Sequence, residues 1–197
     1  MKDFSLKSYL TSNLNLSDDE IFSIQKKCQI REYQKGEFLI QNNEFCSHTF
    51  FVEDGLLRQY YFDKNGKEHI LQFFPENWFV TEYETVYFNE PSKYFIQTLE
   101  PSKIAFIDDT FLKKLEDLFP VFKDLNKQLL YNQIRVLQNR LTMLMSQSAE
   151  DRYLQFVETY PDILLRVPQT MVASYLSITP ESLSRIRRDL ALRNSKK

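Results

Sequence analysis

The residues of this chain whose types and spacing best suggest chemistry stand near its end, in TPESLSRIRRDL, residues 179–190. Thr179, Pro180 and Ser182 spell a helix start. A threonine hydroxyl accepts from an open amide, proline suits the first helical position, and Glu181 suits the positive end of the helix dipole. On such a helix Leu183, Ile186 and Leu190 fall on one face, leaving Glu181, Ser182, Ser184, Arg185, Arg188 and Asp189 outward. Residues at the start of an exposed helix can reach base edges in the DNA major groove. Arg185 can hold guanine with two nitrogens, and Glu181 can accept from cytosine N4. Arg187 and Arg188 suit phosphates or a companion helix. A pair of packed surface helices with no partner carries the same pattern, so these residues alone leave both readings open.

The element that must position them precedes them directly. In PQTMVASYLSITPESLSRIRRDL, Met171, Val172, Leu176 and Ile178 join Leu183, Ile186 and Leu190 as an apolar face shared by two helices. Ala173 is small enough for close approach, and Ser177-Ile178-Thr179 makes a tight turn: the form of a helix-turn-helix. Charge is uneven around it. The whole chain is formally −2, but from Glu181 to Lys197 six basic residues face two acidic ones, a local balance of +4. A DNA-reading surface needs local positive potential, whatever the mean charge. A solvated helix face with a frayed basic tail has the same charge.

Upstream the composition differs. The three glycines, Gly36, Gly55 and Gly66, all lie in the first third and separate runs rich in β-branched and aromatic residues. The runs 37–41, 48–54, 56–63, 67–74, 94–100 and 102–108 read as strands, and Asn65-Gly66 as a type I′ hairpin turn. Six short strands with regular turns predict an antiparallel sandwich or barrel. A helix is predicted over 17–28, with Ser17 as its cap and Glu20 completing a capping box. After Asp109 the periodicity turns helical, with further short helices over 149–160, 168–176 and 179–193.

The longest helix is predicted over 120–147. One stripe, Phe122, Leu125, Leu129, Asn132, Val136, Asn139 and Met143, alternates steps of three and four; Leu130, Ile134, Leu137, Leu141 and Leu144 form a second. That spacing belongs to a coiled-coil seam. One stripe is expected on the protein's own sheet and the other on a second copy. A helix of this length spans about 42 Å, more than seven-residue strands can cover, which favours a dimer over a helix buried within a monomer.

Taken together, a β-roll, one long helix and a terminal helix-turn-helix resemble the Crp–Fnr family of bacterial transcription regulators. The resemblance lies in EYQKGEFLIQNNEFCSHTFFVEDGLLRQYYFDKNGKEHILQFFPENWF (32–79), similar to a cyclic-nucleotide-binding fold, and RVPQTMVASYLSITPESLSRIRRDLA (166–191), similar to the family's DNA-binding motif. It implies an α+β fold. An antiparallel, jelly-roll-like effector domain would cover 1–118, a dimerisation helix 119–147, and a winged-helix-like helix-turn-helix domain 148–197. It further implies a homodimer joined through 120–147 on a two-fold symmetric operator in double-stranded DNA. Glu181, Ser182 and Arg185 would contact bases, with Thr179, Ser184 and Arg188 completing the DNA-binding set. Pro180 stands where the family often has a polar or basic reader.

The effector region departs from the family pattern. Members that bind cyclic AMP place a Gly-Glu pair and an Arg-Ser or Arg-Thr pair around the cyclic phosphate. Here Thr81-Glu82 and Ser92-Lys93 stand in those places, so the phosphate-binding arginine is missing. Lys93 supplies charge without the two-pronged contact of arginine. Weak or no cyclic-AMP binding is expected, with Trp78, Glu82, Tyr83, Ser92 and Lys93 as the candidate pocket. The effector, if one exists, is an apolar or aromatic small molecule, or else the pocket is filled by its own side chains. RNA polymerase is a further partner open to such a regulator, though no surface for it is legible.

Other classes fit less well. Cys28 and Cys46 are too few for an iron–sulfur cluster, and His48 and His69 lie twenty residues apart with no H-x-H pair. No glycine-rich phosphate loop or G-x-S-x-G occurs, so neither an enzyme nor a required cofactor is expected. No membrane span is visible, and MKDFSLKSYLTSN lacks the apolar core of a secretory signal, so a cytoplasmic protein is expected. The alternative function is a signalling module whose terminal helices bind a protein partner.

Overall fold

The computed structural model describes residues 4–14 and 16–194. Helices α1 (Leu6–Asn13) and α2 (Asp18–Gln25) come first. Strands β1 (Gln29–Tyr33), β2 (Phe38–Ile40), β3 (His48–Asp54), β4 (Leu57–Phe62), β5 (Glu68–Phe74) and β6 (Phe79–Thr81) follow. Then come α3 (Tyr83–Phe88), β7 (Phe95–Thr98), β8 (Ser102–Asp108), α4 (Asp109–Leu118) and the long α5 (Pro120–Ser146). The chain closes with α6 (Ala149–Thr159), α7 (Ile163–Arg166), α8 (Gln169–Tyr175) and α9 (Pro180–Asn194). Lys196 and Lys197, counted above in the basic tail, lie outside the described residues.

The strands form two four-stranded sheets, in the orders β1-β8-β3-β6 and β2-β7-β4-β5. The side-chain period of two sorts β3 and β8 onto two faces. Phe50, Val52, Ile104 and Phe106 join Ile40, Leu57, Phe74, Val80 and Ile96, drawn from both sheets, in one core. Phe51, Ala105 and Ile107 face the other way, into a cluster with Leu6, Leu10, Ile21 and Ile24 of α1 and α2, and with Leu115 and Phe122. A strand buried on both faces reads as a continuous apolar run, which is why Phe50-Phe51-Val52 shows no polar alternation. Each such ring, fully buried, stabilises the fold by about 1.5–3 kcal/mol.

The six predicted strands are present, and β1 and β6 join them. β1 escaped the sequence reading because Gln29–Tyr33 is polar and mostly exposed. It is held by its antiparallel register with β8, Gln29↔Phe106 to Tyr33↔Ser102. The capping box at Ser17 forms as expected, with Ser17 N–H donating to Glu20 Oε2 at 2.7 Å. The turn after β4 differs from expectation. Only Gly66, at φ 75°, is left-handed, whereas a type I′ turn needs Asn65 there too. Instead Gly66 N–H donates to Asp63 O and Asp63 N–H to Lys67 O, a three-residue loop closed by a glycine bulge. The Asp63 side chain decides this, accepting from the amides of Asn65 (2.8 Å) and Lys67 (3.0 Å). Gly55, at φ 95°, is required where β3 turns into β4: an added methyl would stand 2.8 Å from Ser102 Cα.

The chain divides into two compact units, Met1–Tyr61 with Leu71–Leu129, and Phe62–Ile70 with Leu130–Lys197. The first holds the two-sheet core and the beginning of α5. The second gathers the tip of the β4–β5 hairpin, the rest of α5, and α6 to α9.

Candidate functional site

The second unit builds its surface on a helix-turn-helix. α8 ends in a Schellman motif: Ser177 N–H donates to Ser174 O and Ile178 N–H to Ala173 O, each at 3.0 Å. Ser177 takes the left-handed position, φ 54°, usually left to glycine. Thr179 then caps α9, its hydroxyl oxygen accepting from Ser182 N–H at 3.2 Å. Val172, Ala173, Leu176, Leu183 and Ile186 are buried, the shared apolar face read from the sequence.

This packing leaves Thr179, Glu181, Ser184, Arg185, Arg187 and Arg188 exposed, with Ser182 half-buried. Arg188 lies 3.7 Å from Asp189, whereas Arg185 and Arg187 form no ion pair among the described residues. The Glu181 carboxyl is held below its ordinary value by bonds from its own backbone N–H and from Thr179. The structure therefore brings the six predicted DNA-binding residues onto one turn-and-helix surface.

Three further side chains hold α8 from behind. Arg140 of α5 donates through Nη2 to Tyr175 O and to Ile70 O, both at 3.0 Å, with its guanidinium 3.9 Å over the Tyr175 ring. Arg152 of α6 donates to Leu176 O at 2.7 Å. Ser174 Oγ accepts from Ile70 N–H at 3.0 Å and donates to Glu68 O at 3.3 Å. None of these roles was read from the sequence. Reading α5 for apolar stripes passes over Arg140, whose partners lie 35 and 70 positions away.

The first unit places the candidate effector residues apart in character. Glu82 is 2% exposed and caps α3, accepting from Glu84 N–H at 3.3 Å and from Gln59 Nε2 at 3.2 Å. Burial pushes its carboxyl above the usual range, opposed by bonds from Glu84 N–H, Ser92 and Gln59. Ser92 is buried and its hydroxyl closes a local loop with Tyr94 N–H and O, both at 3.1 Å. Lys93 is exposed and directed to Glu84 (3.5 Å) and Glu90 (3.7 Å). Trp78 packs against the intersheet core, edge-on to Phe74, and Tyr83 stacks on Tyr87. An open hollow of about 310 Å³ lies elsewhere, between Phe45-Cys46-Ser47, Thr85-Val86, Asn89 and Asp109. Burial raises the Cys46 thiol and pushes that of Cys28 up to about 11, leaving little thiolate in either.

The cyclic nucleotide-binding domain family matches residues 30–117. Electron transport regulator A of Shewanella oneidensis is 24% identical over 187 residues, 89% of this chain and 73% of that protein. FixK2 of Bradyrhizobium japonicum superposes with a TM-score of 0.74 at 16% identity, covering 85% of this chain and 86% of that one. A Crp/Fnr-family transcriptional regulator structure from Eubacterium rectale superposes at 0.69 with 16% identity, covering 93% and 87%. The likeness to these structures is one of fold, and residues 30–117 carry the cyclic nucleotide-binding domain match. The domain match ends just before α5, so for α5 to α9 the likeness is the fold of the two superposed structures.

The left-handed serine in the turn is directly testable. A non-glycine residue there costs about 1–2 kcal/mol, partly offset because glycine is freer when unfolded. Ser177→Gly is therefore expected to stabilise the chain by about 0.5–1 kcal/mol in denaturant unfolding followed by its helical signal. A destabilised Ser177→Gly would show that the Ser177 side chain itself holds the turn.

Proposed function

We propose that this chain is a homodimeric transcription regulator of the Crp–Fnr type that binds a two-fold symmetric DNA operator through α9. The observation that carries the reading is the outward face of that helix. Arg185 and Arg187 are exposed and unpaired among the described residues, on a helix whose other face is buried against α8. Arg185, Glu181 and Ser182 near the helix start are the base-contacting set, with Thr179, Ser184 and Arg188 beside them. Arg187 and Arg188 meet phosphates. In this reading residues 1–118 sense, 119–147 join two copies and 148–197 read DNA, in the cytoplasm and without catalysis.

The surface of α5 supports the dimer. Ile134, Leu137 and Leu141 are 51, 52 and 59% exposed in the single chain, and the spacing is that of a seam. Phe122 and Met143 of the other stripe are buried, while Asn132 and Asn139 between them are exposed. Two copies joined along α5 set their reading helices about 34 Å apart, one turn of DNA.

The effector region is repurposed. Its carboxylate, Glu82, is occupied as a helix cap, and Lys93 is engaged by two surface carboxylates. With no arginine at 92 or 93, nothing there offers a two-pronged grip on a cyclic phosphate. RNA polymerase is a further partner where the regulator activates.

Duplexes selected from a random pool are expected to carry inverted repeats and to lose affinity steeply with salt. A flat salt response would point to a protein partner instead. Arg185→Ala should remove about 1–3 kcal/mol of base discrimination without lowering thermal stability. Unchanged preference would reassign the reader. Sedimentation is expected to show two chains for the wild type and one for Leu137→Glu; a monomeric wild type, with and without DNA, sinks the dimer. Isothermal titration with cyclic AMP is expected to show no micromolar binding, and a micromolar or tighter constant would overturn the repurposed pocket.

A further inference from the structure

We propose that Arg140 is the positioning residue of the DNA-reading unit: it fixes the last turn of α8, and with it the turn from which α9 departs, at one angle to α5. The inference rests on the DNA-reading assignment of α9 and extends it to a residue that does not touch DNA. The last carbonyls of a helix have no partner within it. In α8 the Tyr175 carbonyl is taken by Arg140 and the Leu176 carbonyl by Arg152. The same Nη2 of Arg140 also binds Ile70 O, so one nitrogen ties a strand of the β4–β5 hairpin to the end of α8. Ser174 closes the other side of this junction through Ile70 N–H and Glu68 O. Ser174, Tyr175 and Leu176 are thus each anchored, immediately before the left-handed Ser177 and no more than six positions before α9 begins.

Two observations point to position rather than cohesion. The guanidinium carbon lies 3.9 Å from the centre of the Tyr175 ring while Nη2 bonds the Tyr175 carbonyl, so one residue of α8 holds the group at two points. Its other terminal nitrogen, Nη1, is buried and makes no hydrogen bond among the described residues. A buried donor left unmatched costs stability, so an apolar side chain would serve cohesion better. What an apolar residue lacks is direction. Arg140 also lies within one helical turn of Leu137 and Leu141 on α5, the exposed stripe assigned to the second copy. An angle referred to that stripe is an angle referred to the dimer axis. Two half-sites bound at once gain about 10²–10⁴-fold in avidity only where the geometry lets both engage.

Two measurements on the full-length protein test this. In the first, amide exchange is compared between wild type and Arg140→Gln without DNA. Exchange at Ile70 and at Ser177 and Ile178 is expected to speed up by about tenfold, with the α9 core amides Leu183 and Ile186 unchanged. Equal acceleration through α6 to α9 would make Arg140 merely structural and overturn the proposal. In the second, duplexes carry one half-site, or two at varied spacing. Arg140→Gln is expected to keep single half-site affinity within about twofold while losing about tenfold or more on the paired site, with its spacing preference flattened. Arg140→Lys should restore part of the preference, through charge without the guanidinium's fixed fork of donors. Retained spacing preference in Arg140→Gln overturns the proposal. Should that variant fail to fold, Ser174→Ala tests the same junction, with the same flattening expected. If wild type binds no duplex at all, the DNA assignment falls, and the exchange measurement still decides whether Arg140 holds the turn.

Discussion

A single unbroken helix of 27 residues has more lateral surface than one neighbour can cover, and that constraint runs through the whole of this protein. α5 buries Phe122 in the cluster beneath α1 and α2 at one end and Met143 at the other, and leaves Ile134, Leu137 and Leu141 in solvent between them. Two such stripes, each repeated in steps of three and four, cannot both turn toward one sheet. Either solvent or a second chain must cover the remainder. The proposal of a dimer rests on this geometry, and Arg140 stands one turn from the uncovered stripe.

Polar groups explain much of the rest. At four irregular segments a side chain takes up open backbone bonds: Ser17 and Glu20 at α2, Asp63 in the hairpin loop, Glu82 at α3, Thr179 at α9. The candidate effector region is governed by the same requirement. A carboxylate as buried as Glu82 must be hydrogen-bonded, and here Gln59 and the Glu84 amide bond it from within the chain. A group already satisfied in this way has less to offer a ligand. The junction behind α8 is less fully matched: Arg140 Nη1 and Arg152 Nε are buried there without a hydrogen bond among the described residues.

The strands, the capped helices and the apolar face of the helix-turn-helix were legible in the chain because each rests on neighbours a few residues apart. Ser17 needs only Glu20, and Leu183 and Ile186 need only a helical turn to share a face. Runs such as HTFFVED and SKIAFID declare themselves by composition. β1 did not, because QIREY has neither the apolar content nor the alternation of a strand and is held only by pairing with β8. The turn at Asn65-Gly66 was misread for a related reason: the Asp63 carboxylate, two residues earlier, chose the loop type.

The amino-acid order by itself therefore determined six of the strands, the helices α2, α5, α6, α8 and α9, the outward arginines of α9 and the doubled stripe of α5, all products of short-range periodicity and local capping. Tertiary structure alone decided that Glu82 is a buried cap, that Lys93 turns to Glu84 and Glu90, and that Arg140, Arg152 and Ser174 secure the end of α8. These roles depend on partners up to 106 positions apart. Which distant carbonyl meets which side chain is settled by how folded elements pack, and no local pattern of residues encodes it.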